Sequence, residues 1–144
     1  ILPHLKMVGA EERCVFLDGN GRCSIHSFRP GFCRLFPLGR YYENGGFSYF
    51  LQTGECAKEN RSKIKVSKWI DTPDLTRNQQ FTLQWHDLLH AMEERLTGED
   101  EGKQREENLL LLRLFYLLPY EGTIDFYTQF TERMEHWNGQ NGQI

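Results

Sequence analysis

The chain has 144 residues, 39% hydrophobic and 26% charged, a balance that belongs to globular domains and excludes disordered and fibrous classes. Its longest apolar run, Leu109 to Leu118, is interrupted by Arg113 and too short to span a bilayer, so a soluble protein without a membrane partner is expected. The net charge of -3 hides a split: residues 1–70 carry eleven Lys and Arg against six Asp and Glu, net +5, while residues 71–144 carry six against fourteen, net -8.

In chain order, residues 1–70 are short apolar words broken by turn signals: Asp18-Gly19-Asn20-Gly21, Arg29-Pro30-Gly31, Phe36-Pro37 and Asn44-Gly45-Gly46. Loops and short strands are the natural reading. Phe47 to Leu51 reads as a strand after the Asn-Gly-Gly turn, and Ile64 and Val66 alternate with Lys63 and Lys65 as a half-buried strand does. After Pro73 the period changes. Phe81, Trp85, Leu88, Leu89, Met92 and Leu96 fall on one helical face, with Gly98 as a stop. Gly98 to Gly102 reads as an exposed connection, Glu106 to Leu118 as a helix buried on most sides and closed by Pro119, and Thr123 onward as a third helix loosening at Asn138-Gly139. The fold class expected is α+β: one domain over residues 1–144, with a loop-rich cysteine-cluster module (1–70), a part of about three helices (71–138) and a frayed tail (139–144).

All four cysteines lie in the basic half, spaced Cys14-x8-Cys23-x9-Cys33-x22-Cys56. Thiolates are soft ligands, and four of them match the usual count for zinc or for an iron–sulfur cluster. No pair has the C-x2-C spacing of a zinc knuckle. Four thiolates around a divalent zinc leave a site of charge about -2, which Arg22, Arg29, Arg34 and Arg40 are placed in sequence to offset. Phe28, Phe32, Phe36, Phe47, Tyr49 and Phe50 could form an apolar shell around a cluster, or simply be core. Two disulfides, and a thiolate nucleophile at Cys33 activated by its flanking arginines, stay open as alternatives.

The stretch Cys14-Val-Phe-Leu-Asp-Gly-Asn-Gly-Arg-Cys23-Ser-Ile-His-Ser-Phe-Arg-Pro-Gly-Phe-Cys33-Arg-Leu-Phe-Pro37 resembles the YkgJ-type cysteine-cluster family, described as a zinc- or iron-chelating domain. The matching positions are Cys14, Phe16, Leu17, Gly21, Cys23, Ile25, Arg29, Pro30, Cys33, Arg34, Phe36 and Pro37, with Cys56 as the later cysteine. The helical part, through Phe115-Tyr116-Leu117-Leu118-Pro119-Tyr120 and Asp125-Phe126-Tyr127, is similar to bacterial members by weaker motifs. The resemblance implies bacterial origin, cytoplasmic location and metal chelation, and names no substrate. The family also carries a tight upstream cluster of the C-x-x-C and Cys-Cys kind that this chain lacks. With Ile at position 1, the expectation is of upstream cysteines that belong to the same site.

His26 follows Cys23 at a C-x2-H spacing that would let imidazole replace a thiolate. His86 and His90 sit one helical turn apart, but roughly 110° and 150° from the centre of their helix's apolar stripe, on the solvated side. Lys58, Arg61, Lys63, Lys65 and Lys68 form a basic run that could meet phosphates, with Trp69 available for stacking. The acidic second half argues against general nucleic-acid affinity. The expected function is therefore metal binding by Cys14, Cys23, Cys33 and Cys56, with an iron–sulfur cluster ahead of zinc. A redox or modifying enzyme using the cluster or Cys33, and an adaptor with a basic face, are the alternatives. No phosphate loop, nucleotide fingerprint or paired-acid motif names a reaction.

Overall fold

A computed structural model describes residues 3–55 and 62–141, with the backbone alone described at Asn141. The chain divides into two compact units, one closing at Pro73 and the other opening at Asp74. Among the described residues, five α-helices and two two-stranded antiparallel sheets make the fold α+β, as the sequence predicts.

In the first unit β1 (Met7–Val8) pairs with β2 (Arg13–Cys14), Met7 opposite Cys14. A loop then folds on Asp18, whose carboxylate accepts from the backbone N–H of Asn20 and of Arg22, both at 2.9 Å. Gly21 there has φ +72°, a conformation that glycine adopts at no steric cost. Leu17 and Cys23 bridge the loop's two sides. A 3-10 turn (His26–Phe28) leads through Pro30 into α1 (Gly31–Leu35). The hairpin of β3 (Leu38–Glu43) and β4 (Gly46–Leu51) turns at Asn44-Gly45, both with positive φ as a tight hairpin requires. At Gly39 the Phe50 ring, directly across the ladder, fills the space a Cβ would need. The unit ends with α2 (Val66–Ile70), closed by Asp71 in the left-handed region.

The predicted strand through Ile64 and Val66 is absent: Val66 opens α2. Alternation over four residues cannot tell a strand from a loop entering a helix. Here the helix buries Ile70 and lets the Trp69 indole N–H donate to the Phe36 carbonyl at 3.1 Å.

The second unit is helical. Helix α3 (Leu75–Leu96) is capped by Asp74, which accepts from the Arg77 N–H at 2.9 Å. The connection predicted from Gly98 to Gly102 ends earlier, because the Asp100 carboxylate accepts from Gly102 and Lys103 N–H and starts α4 (Glu101–Leu112). A π-turn over Arg113–Leu117 follows, and α5 runs Phe126–Asn141, straight through Asn138-Gly139. Leu88, Met92, Leu96, Leu111, Leu114, Phe115, Phe130 and Trp137 form one buried cluster. Burial on most sides fails for the Glu106–Leu118 segment, since Leu109, Tyr116, Leu117 and Leu118 are exposed. The Arg133 guanidinium of α5 donates to the carbonyls of Leu114, Leu118 and Pro119, satisfying acceptors that a helix end leaves unpaired.

Candidate metal centre

The three described cysteines come from three local structures: Cys14 from β2, Cys23 from the bridge with Leu17, and Cys33 from the middle of α1. All three are free thiols and half-buried, contrary to the two-disulfide alternative. The Cys33 thiol is pushed above its ordinary range, first by burial, then by the charges of Cys14 and Cys23, with the Arg29 guanidinium pulling the other way. The fold thus brings Cys14 and Cys23 close enough to act on Cys33 electrostatically. Among the described residues, no three or more His, Cys, Asp or Glu side chains form a group that closes on a metal ion. Cys56 lies outside the described residues. The donor chemistry, soft and cysteine-only, fits a thiophilic metal, with the three thiols gathered but not clustered.

The arginines divide. Arg29 acts on Cys33 and also donates to His26 Nε2 at 3.1 Å. Because a guanidinium only donates, His26 accepts through that nitrogen, and its lone pair is committed to Arg29 rather than offered to a metal. Arg34 spends its guanidinium on backbone instead, donating to the carbonyls of Asp71 (2.7 Å), Ser27 (3.3 Å) and Arg29 (3.4 Å). Arg40 lies over the rings of Phe47 and Tyr49. Spacing does not foretell the roles of Arg34 and Trp69, because both serve carbonyls that only the folded chain brings within reach.

An apolar shell is only partly present. Phe47 and Tyr49 are half-buried and packed edge to face, while Phe28 is 86% and Phe32 61% exposed, and Phe36 and Phe50 are exposed as well. On α3, His86 and His90 have ring centroids 6.2 Å apart, with His86 beside Asp87 and His90 beside Glu94. They do not form a metal group among the described residues. Lys63, Lys65 and Lys68 are exposed, and Lys58 and Arg61 of the basic run lie outside the described residues. No described helix is long and apolar enough to cross a membrane.

Residues 3–62 match the family model CxxCxxCC, described as "Putative zinc- or iron-chelating domain", so the resemblance carried by the cysteine stretch holds over that segment. No curated protein and no solved structure matches the chain.

Proposed function

From the premise that residues 3–62 are a cysteine-cluster segment of the zinc- or iron-chelating family, we propose that this protein binds metal through the thiolates of Cys14, Cys23, Cys33 and Cys56. The supporting observation is that three free thiols drawn from separate turns lie near enough for the charges of Cys14 and Cys23 to act on Cys33. It occurs in a unit whose described residues bury a single large apolar side chain, Ile70. A unit this poor in core needs another cross-link, and a metal bound to folded-state thiolates supplies folding free energy directly.

Cys56 is included as the fourth cysteine of the matched segment, and the anchoring of its described neighbours supports that inclusion. Gln52 donates its N–H to the Pro37 carbonyl at 3.0 Å and its side-chain amide to the Leu38 carbonyl at 3.3 Å, and Trp69 donates to Phe36. Both flanks of the Cys56 stretch are therefore tied to residues 36–38, directly after α1. Cys56 is four residues past Gln52, a reach of at most about 14 Å of extended chain.

An iron–sulfur cluster stands ahead of zinc, because the donors are thiolates alone and the spacing has no zinc knuckle. A bound cluster would supply one-electron chemistry, and zinc a structural link. Cysteines kept as thiolate ligands suit a reducing, cytoplasmic location. A nucleophilic Cys33 is disfavoured, since burial and neighbouring thiols hold back the thiolate that attack requires. The exposed rings of Phe28 and Phe32 favour a protein-adaptor role as the second reading.

Elemental analysis and visible absorbance of anaerobically purified protein test the proposal. Iron with labile sulfide and a brown colour is the expected result. Zinc in a colourless protein would replace the cluster by a structural site, and metal-free protein with four reduced thiols would refute both.

A further inference from the structure

The helical unit contains a cleft of about 160 Å³ that plays no part in thiol chemistry. Its lining among the described residues is entirely aromatic. Trp85 and Phe81 come from α3, Phe115 and Tyr116 from the π-turn, Tyr120 from the following loop, and α5 completes it with Phe126 and Phe130. Phe130 sits at the buried end, while Tyr116 and Phe126, 43% and 40% exposed, stand at the mouth. Two adjacent residues of the lining belong to the π-turn over Arg113–Leu117, a helical irregularity frequent at functional sites.

We infer that this cleft is a binding site for a small neutral aromatic molecule of one or two fused rings. Size sets the first limit, since a cavity of about 150 Å³ with apolar walls accommodates benzene. Ring geometry sets the second. Phe81 meets Phe130 at 84° and Phe126 at 79°, and Trp85 meets Phe115 at 65° and Tyr116 at 74°. An inserted ring extends this edge-to-face array, which the aromatic quadrupole favours over contact with an aliphatic guest of equal size.

Charge sets the third limit. Among the described residues no acidic side chain lines the cleft, and the Arg133 guanidinium lies 3.5 Å from the centroid of Tyr120, putting positive charge behind one wall. An alkylammonium guest, the usual occupant of an aromatic cage, would face that charge without a carboxylate to offset it. Burial keeps the phenols of both Tyr116 and Tyr120 protonated well into the alkaline range. Tyr116, at the mouth of the cleft, offers a protonated phenol to one polar atom on the guest.

The test is a titration of the full chain with phenol and with indole, following the three tryptophan indole N–H signals by NMR and assigning Trp85 through Trp85→Phe. The inference predicts saturable movement of the Trp85 signal while that of Trp69 stays still, with a response about fivefold weaker to cyclohexanol. Tyr116→Ala should weaken binding by a similar factor. If that variant loses helical content, Tyr116→Phe keeps the question open to decision, because it should retain most of the affinity. No movement of Trp85 up to the solubility limit, an equal response to cyclohexanol, or a preference for tetramethylammonium would overturn the inference.

Discussion

Cys33 shows what a single residue contributes and what its number in the sequence conceals. Its spacing from Cys23 marks it as a candidate ligand, but only the fold surrounds it with partial burial, two further thiols and Arg29. On the proposed function, metal would have to displace a proton held more tightly than in a free cysteine, so affinity should climb as pH rises from neutral towards the alkaline range. Replacing Arg29 with Gln removes a cation that opposes this effect. The variant should therefore lose more affinity at neutral than at alkaline pH, as competition with a chromogenic chelator at the two pH values would record; equal losses would contradict the account. The metal-free fold has its own signature. Below the unfolded-state value both states keep the Cys33 proton and nothing changes. Above it the unfolded chain releases the proton first, so stability falls as pH rises through the folded-state value.

At the scale of elements, long patterns were readable and short ones were not. The 22-residue α3 and the Asn44-Gly45 hairpin follow directly from period and turn chemistry. The five residues of α2 do not, because they carry too few positions to show a period and their stability comes from partners distant in sequence. Arg34 reaches the Asp71 carbonyl across 37 positions, and Trp69 reaches Phe36 across 33. Trp69→Phe leaves a smaller aromatic ring and removes the donor, and should cost about 1 kcal/mol or more in the first unit together with a weakened hold on metal. Asp100→Ala removes the cap of α4 and should cost about 1 kcal/mol in the helical unit with metal content unchanged. Thermal melts paired with metal analysis separate the two outcomes, and an equal effect of both variants on metal content would break the assignment.

For the molecule as a whole, the contrast between its units carries the argument. The helical unit holds a continuous buried cluster of eight apolar side chains, whereas the described residues of the first unit bury only Ile70 among the large apolar ones. Hydrophobic patterning predicted the first of these and overestimated the second: the phenylalanines that suggested a shell around the cysteines include Phe28, Phe32, Phe36 and Phe50, all exposed. The candidate site was legible as four cysteines in one basic half. Its supporting bonds were not, because they end on backbone carbonyls that carry no sequence signal. On the proposed function, a metal at the thiols would be the cross-link of the first unit, and a chelator should loosen that unit while the helical signal of α3, α4 and α5 persists. The most direct test is metal per chain in the wild type and in Cys14→Ser, Cys23→Ser, Cys33→Ser and Cys56→Ser, all purified anaerobically. The account predicts a large loss of metal in each of the four variants, with Cys56→Ser as severe as the others; wild-type metal content in any one of them would remove that cysteine from the site, and in all four would refute the central claim.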